Sequence, residues 1–72
     1  MKSNEVVRAA MSEDKLTQKD LAEKMGYETQ SYVGNPLNRK SDMKVEMFVR
    51  MMKAMGYDVI ARRGDKEFKV TE

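Results

Sequence analysis

The chain has 72 residues, no Cys, no His and no Trp, and a net charge of +2 from 14 basic and 12 acidic side chains. A chain of this length forms one domain with a small core, because it buries only about 60% of its unfolded surface. The composition excludes a disulfide framework, zinc ligation by Cys or His, and a Cys or His nucleophile. The apolar runs are too short for a membrane span or a signal peptide. We therefore expect one cytoplasmic domain over residues 1–72, without a metal or a cofactor.

Charge and methionine are unevenly distributed along the chain. Residues 1–36 carry five basic and six acidic side chains, whereas residues 37–72 carry nine and six, so the positive excess lies in the second half. Five of the eight Met residues lie between Met43 and Met55. Because Met is a flexible and adaptable contact residue, this cluster predicts either a soft core or a surface for a partner.

The first predicted helix covers residues 3–12. Ser3 or Asn4 can act as its N-cap, and Glu5 in the first turn favours the helix dipole. At helical spacing, one face of the segment is apolar, with Val6, Val7, Ala10 and Met11. We expect this face to pack on the core.

The second predicted helix, over residues 18–25, has the strongest local signals. Thr17 and Asp20 have the spacing of a capping box, with Asp in place of the usual Glu, and Leu16 and Leu21 have that of a hydrophobic staple. Gly26 follows the helix and is typical of its C-terminal end.

A short third helix is predicted to begin at Gln30, with Thr29 as its N-cap and Val33 and Leu37 on its buried face. A proline within a helix removes one backbone hydrogen bond and disfavours helical angles at the residue before it. Because Pro36 stands in this segment, we expect the helix to end or kink near Gly34–Asn35.

A fourth helix and a β-hairpin complete the chain, which makes the predicted class α+β. The helix starts near Asp42 or Lys44 and ends at Met55, with one apolar stripe formed by Val45, Phe48, Val49, Met52 and Met55. We expect Met47 and Met51, on another face, to pack against the first helix or the hairpin. The pattern then changes to a period of two over residues 57–71, with a turn at residues 63–66, which predicts the hairpin.

The second and third helices form a helix-turn-helix pattern within residues 17–37, supported by residues 43–55. Ala22 is small enough for the two helices to cross closely. The exposed start of the third helix carries Gln30, Ser31 and Asn35. Gln and Asn can pair with adenine through two hydrogen bonds, and Ser can bond to donors or acceptors. These three side chains are therefore candidate contacts to DNA bases.

The segment Leu-Thr-Gln-Lys-Asp-Leu-Ala-Glu-Lys-Met-Gly at residues 16–26, with Thr-Gln-Ser at 29–31 and Leu-Asn-Arg-Lys at 37–40, resembles the helix-turn-helix family of phage repressors, Cro-type proteins and related bacterial transcriptional regulators. The resemblance covers roughly residues 16–56. It implies a repressor that binds a palindromic double-stranded operator as a homodimer and reads bases with the third helix. The implied contacts to DNA phosphates come from Gln18, Lys19, Asn38, Arg39 and Lys40.

The hairpin can pack in two ways. Its apolar side chains can cover the Met-rich helix or pair with a second copy of the chain, and the residues concerned are Val59, Ala61, Phe68 and Val70. Two strands alone are marginally stable, and an open strand edge is a template for pairing. We expect these four residues to form a dimer interface.

Other functions remain as alternatives to DNA binding. An enzyme is not expected, because the carboxylates have no predicted pocket and no phosphate-binding glycine loop is present. A protein-binding module on the same scaffold, such as an antitoxin or a small phage-encoded inhibitor, would suit the modest net charge and the interrupted third helix. Tyr32 can pack beneath the helix or lie on a sugar-phosphate edge.

Overall fold

Residues 1–71 are described by the computed structural model, and Glu72 lies outside the described residues. The helices are α1 (Ser3–Glu13), α2 (Gln18–Met25), α3 (Ser31–Asn38) and α4 (Val45–Ala54), and the strands are β1 (Val59–Arg63) and β2 (Lys66–Val70). The predicted α+β class, with four helices and a C-terminal antiparallel hairpin, is confirmed.

Helix α2 has the predicted bounds and the predicted caps. The Asp20 backbone N–H donates to Thr17 Oγ1 (3.1 Å), and the Thr17 backbone N–H donates to Asp20 Oδ2 (2.9 Å), which completes the capping box. Gly26 ends the helix with a φ of 82°, a left-handed conformation that glycine adopts without a steric cost. Sequence alone determines this helix because its caps are local hydrogen bonds.

Helix α1 begins differently from the prediction. Lys2 occupies the N-cap position without a side-chain cap, so the proposed cap at Ser3 or Asn4 is wrong. The Ser3 hydroxyl instead hydrogen-bonds Asp42 Oδ1 (3.4 Å), before α4 in the chain. Lys15, with a φ of 54°, follows α1 in a left-handed conformation, and the Leu16 N–H closes the turn on the Met11 carbonyl (2.9 Å).

Helix α3 continues through Pro36 to Asn38, so the prediction that it ends at Gly34–Asn35 is wrong. Pro36 has no backbone N–H, so it cannot donate a hydrogen bond to the preceding turn of the helix. Its cost, about 3 kcal/mol, is offset by burial of Val33 and Leu37, which contributes roughly 1.5–3 kcal/mol for each side chain. Both side chains are almost completely inaccessible to solvent.

The start of α3 also differs from the prediction, because Thr29 is not its N-cap. Gln30 takes the N-cap position without a side-chain cap, and its carbonyl accepts from the backbone N–H of Gly34 (2.8 Å). The hydroxyl of Thr29 lies 2.7 Å from that of Ser31, at hydrogen-bonding distance. Two short hydroxyl side chains therefore satisfy each other at the entry to the helix.

The core lies between the four helices, with α1 and α2 each packing against both α3 and α4. Val45 is 65% exposed, which corrects the predicted apolar stripe on α4, whereas Met51, predicted to pack on another face, is fully buried. Val45 is the first residue of α4 and projects into solvent, whereas the two helices that contact α4 cover a face wide enough to include Met51. The buried apolar residues are Val7, Ala10, Met11, Leu21, Ala22, Val33, Leu37, Met43, Val49, Met51 and Met52.

The hairpin projects from the helices, with its open end near α4 and a two-residue turn at Gly64 and Asp65. Val59 lies opposite Val70 and packs against the core, whereas Ala61 and Phe68 form the next pair on the same face and are exposed. The molecule is 39 Å in its longest dimension. Within residues 1–71, no helix has the length and apolar character needed to cross a bilayer.

Candidate nucleic-acid interface

The side of α3 that faces solvent is polar. Val33 and Leu37 attach the helix to the core, and Asn35 stands two residues from each of them. At about 100° per residue, this spacing turns the Asn35 side chain to the opposite side of the helix, where it is exposed. Because α3 continues past Pro36, Asn35 is part of a helical surface and not of a loop.

Two further polar side chains lie on the same face as Asn35. Ser31 is one turn before it and Arg39, at the C-cap, is one turn after it, and both are exposed. Gln30 is exposed at the N-cap position. The structure therefore brings two of the candidate base contacts, Ser31 and Asn35, to one exposed face of α3, whereas Gln30, five residues before Asn35, lies about 140° away around the helix axis.

Gln18 packs closely against α3 because residue 34 of that helix is a glycine. Its Oε1 lies 2.8 Å from the position that a Cβ on Gly34 would occupy, and both residues are at least half-buried. The prediction assigned the close approach of the two helices to Ala22, which is buried, but did not include Gly34. The sequence signal for this second contact was a glycine inside a helix, where glycine is otherwise unfavourable.

The side-chain oxygen of Asn38 already accepts a hydrogen bond from another residue of the chain. Arg8 Nη2 donates to Asn38 Oδ1 (2.7 Å) and lies 3.5 Å from the Leu37 carbonyl oxygen. Arg8 of α1 thus places a cation and donors at the C-terminal end of α3, where helix carbonyls lack partners. The prediction missed Arg8, because it lies 30 residues away from Asn38 in the sequence.

Exposed cations surround the C-terminal end of α3. Arg39, Lys40 and Lys44 are all exposed, and Arg39 and Lys44 line a groove of about 310 Å³ between α3 and α4. The groove also contains Tyr32, whose ring lies 5.1 Å from that of Tyr27 at an angle of 33°. Tyr32 is 59% exposed, so it does not pack beneath the helix.

The N-terminal end of α2 carries the cation Lys19 and the carboxylate of Asp20, which accepts a hydrogen bond from Thr17. Lys19 is exposed. The backbone N–H of Thr17, and after it the Thr17 hydroxyl, holds the pKa of Asp20 below its ordinary value of 3.8. The negative charge of Asp20 is therefore stabilised by hydrogen bonds at the N-terminus of α2. Glu28, in the turn before α3, is an exposed acid close in sequence to Gln30 and Ser31.

The four predicted dimer residues occupy one face of the hairpin but differ in their surroundings. Val59 and Val70 are half-buried, whereas Ala61 and Phe68 are exposed, and Phe68 has 71% of its surface open to solvent. The hairpin pairs within the chain, and its two outer edges are not paired within residues 1–71.

Comparison of the chain with models of protein families, curated proteins and solved structures finds no significant match. The functional interpretation of the α3 surface therefore depends on its residues and their geometry. That surface offers neutral hydrogen-bonding groups in the middle and cations beyond one end.

Proposed function

We propose that this protein is a sequence-specific regulator of transcription that binds double-stranded DNA, acts as a repressor in the cytoplasm and functions as a homodimer. One observation carries the proposal: α3 presents Ser31, Asn35 and Arg39 on one exposed face, while its opposite face is anchored by two buried side chains. A helix with one free polar face on a rigid support is what a reader of base edges requires.

The dimensions of α3 suit the major groove of DNA. The groove is about 12 Å wide and admits an α-helix of about 10–12 Å diameter. In this arrangement Gln30, Ser31 and Asn35 read base edges, and the Asn35 amide pairs with an adenine through two hydrogen bonds. Asn35 is the central reader because it lies opposite the two buried anchors of α3 and one turn from both Ser31 and Arg39.

Flanking residues bind the phosphates on either side of the groove. Gln18 and Lys19 at the start of α2 contact one strand, and Arg39 and Lys40 after α3 contact the other. Asn38 contributes through its Nδ2, since its Oδ1 accepts from Arg8. These contacts fix the position of α3 and supply the part of the affinity that depends on salt.

The test is DNA binding of the full chain as a function of salt, after selection of its preferred sequence from a random duplex library. We expect a palindromic preference with half-sites about one DNA turn apart. We also expect log affinity to fall against log salt with a slope set by about five to eight phosphates per dimer, at about 0.9 for each phosphate. A flat salt response, or no enriched sequence, contradicts the proposal.

A protein-binding module is the second candidate, and one observation favours it. The groove between α3 and α4 is apolar at Pro36, Met43 and Met47 and is bordered by the exposed ring of Tyr32. An antitoxin or a small inhibitor could bind a protein with this groove. Such a function predicts that Tyr32→Ala abolishes capture of the partner, while DNA selection with the same protein enriches no sequence.

A further inference from the structure

The hairpin carries an exposed apolar pair that the rest of the described chain does not cover. Phe68 on β2 lies directly opposite Ala61 on β1, and 71% of the Phe68 side chain is open to solvent. Both strands of the hairpin have an open edge, and β1 is the strand that packs more extensively against α4. An exposed aromatic side chain on a strand with an open edge is a site for strand pairing.

The free backbone groups of β2 can be assigned from the register. In a hairpin closed by a two-residue turn, the pair next to the turn exchanges both hydrogen bonds, and bonded and non-bonded pairs then alternate. The pair next to the turn, Arg63 and Lys66, is therefore a bonded pair, and the next pair, Arg62 and Glu67, is non-bonded. Ala61 and Phe68 are bonded again, so Phe68 directs its N–H and C=O toward Ala61. Glu67 and Lys69 therefore direct theirs away from β1, toward the open edge.

We propose that β2 pairs with β2 of a second copy of this chain, antiparallel and about a two-fold axis at Phe68. Glu67 then lies opposite the partner's Lys69, and Lys69 opposite the partner's Glu67, with four backbone hydrogen bonds between these residues. The two Phe68 rings meet across a non-bonded pair, where opposed side chains are closest. The result is a four-stranded antiparallel sheet in the order β1, β2, β2 of the partner, β1 of the partner.

The charges on β2 select this register over its neighbours. A two-fold axis at Glu67 places the two Glu67 carboxylates opposite each other. An axis at Lys69 does the same with the two Lys69 ammonium groups. Like charges directly opposite each other on neighbouring strands are destabilising. Only the axis at Phe68 pairs opposite charges and joins the aromatic rings. Charged residues often protect a strand edge from pairing, but here they are complementary to a second copy of the same strand.

Both faces of the proposed sheet have a consistent pattern. On one face, Ala61, Phe68, the partner's Phe68 and the partner's Ala61 form an apolar row across four strands. On the other face, Arg62 lies opposite Glu67 within the chain, and the partner's Lys69 follows, so that the charges alternate in sign. Lys69 Nζ lies 3.2 Å from Asp58 Oδ1, and both side chains are exposed, so the ammonium group can also face the partner's Glu67.

The open edge of β1 is a poorer match. A two-fold axis at Ala61 places Ile60 opposite the partner's Arg62, which pairs an apolar side chain with a cation. An axis at Ile60 requires Asp58 to face the partner's Arg62, but Asp58 precedes β1 and lies outside the paired residues of the strand. The observations therefore favour β2 as the interface.

This inference deepens the homodimer of the proposed function and names its interface, but it does not depend on DNA. It also divides the four predicted dimer residues: Phe68 and Ala61 lie in the row across the interface, whereas Val59 and Val70 lie nearer α4. A small interface of this kind gives a dimer whose population depends on protein concentration.

The test is sedimentation equilibrium of the full chain without DNA, from low micromolar to submillimolar concentration. We expect a reversible dimer. Glu67→Lys and Lys69→Glu each create two like-charged pairs and raise the dimer Kd about tenfold, and the double variant, which has the wild-type net charge, restores it. Far-UV circular dichroism of each variant checks that the helices are retained.

Disulfide trapping provides a second measurement, because the chain has no Cys of its own. We expect Phe68→Cys to form a covalent dimer under mild oxidation and Ile60→Cys, on the other edge, to remain monomeric. A monomer at all concentrations, a dimer unaffected by charge reversal, or trapping at residue 60 alone overturns the proposal. A wild-type monomer that still selects a DNA half-site overturns this interface only, whereas a dimer without DNA selection overturns the DNA function only.

Discussion

The side-chain oxygen of Gln18 lies 2.8 Å from the point where a Cβ on Gly34 would be. This contact joins the start of α2, a candidate phosphate contact, to the inner side of α3, whose outer side carries the candidate base contacts. Glycine at residue 34 is needed because it leaves space for the Gln18 amide, and its own backbone is not in the left-handed region. Under the proposed function, packing and DNA recognition are therefore coupled at this position.

Gly34→Ala should separate stability from DNA binding. The new methyl group would displace the flexible end of Gln18, while alanine in a helix interior stabilises by about 0.5–1 kcal/mol relative to glycine. We expect a melting temperature equal to or above that of the wild type, together with weaker DNA binding. Thermal unfolding and DNA titration of the same preparation measure both effects.

Gln18→Ala is the matched control for Gly34→Ala, because it removes the side chain that the new methyl group would displace. Adding Gly34→Ala to this background should raise stability without a further loss of affinity. If the two substitutions weaken DNA binding additively, the contact between Gln18 and Gly34 does not position the amide.

Asn35→Ala and Arg39→Ala should have different effects on DNA binding. Loss of the Asn35 amide should cost about 1–3 kcal/mol on the selected sequence and relax the preference at one position of each half-site. Loss of the Arg39 guanidinium should weaken binding to all sequences and reduce the salt slope by about 1 for each half-site. Competition against a mutated operator at several salt concentrations distinguishes the two variants. If both variants lose the same affinity on every sequence and change the salt slope equally, the assignment of base and phosphate contacts is wrong.

Arg8→Met should loosen the C-terminal end of α3 without affecting α2. The guanidinium bonds Asn38 Oδ1 and approaches the Leu37 carbonyl, whereas Met keeps the apolar stem but has no donor. Since Arg8 is exposed, we expect a loss of only about 0.5–1 kcal/mol of unfolding free energy. Amide hydrogen exchange should accelerate at the C-terminal end of α3. Arg8→Lys, which keeps the charge but not the planar guanidinium whose Nη2 approaches both oxygens, should be intermediate.

The capping box of α2 should make stability depend on pH in the acidic range. The pKa of Asp20 is lowered in the folded chain by the Thr17 backbone N–H, so ionised Asp20 stabilises the fold above its ordinary pKa of 3.8. This contribution is lost as the pH falls below 3.8 and through the lowered folded value. We expect wild type to melt above Asp20→Asn at neutral pH, with the difference shrinking below pH 3.8.

Thr17→Ala tests the other half of the capping box. Removal of the hydroxyl leaves the Asp20 backbone N–H without its acceptor, and we expect a cost of about 1 kcal/mol. The Thr17 backbone N–H remains and still lowers the pKa of Asp20. The acid-dependent part of the stability should therefore persist in this variant, and its absence would mean that the hydroxyl is the main cause.

The elements that depend on short-range signals agree with the sequence prediction. Thr17, Asp20 and Gly26 bound α2 through hydrogen bonds and backbone angles within a few residues. The change from helical to alternating periodicity after Gly56 correctly predicted the hairpin. Some local signals failed, because neither Ser3 nor Asn4 caps α1, Thr29 does not cap α3, and α3 does not end at Gly34–Asn35.

By itself, the sequence determined the α+β class, the capped helix α2, the hairpin and the polar character of α3, because each depends on local spacing and backbone preference. Only the tertiary structure decided that α3 continues past Pro36, since burial of Val33 and Leu37 outweighs the cost of the proline. Packing also brought Arg8 to Asn38 and Gln18 to Gly34, contacts between distant segments that no local pattern encodes. The positive excess in the second half of the sequence includes Arg39, Lys40 and Lys44, which the fold places beside the neutral polar face of α3.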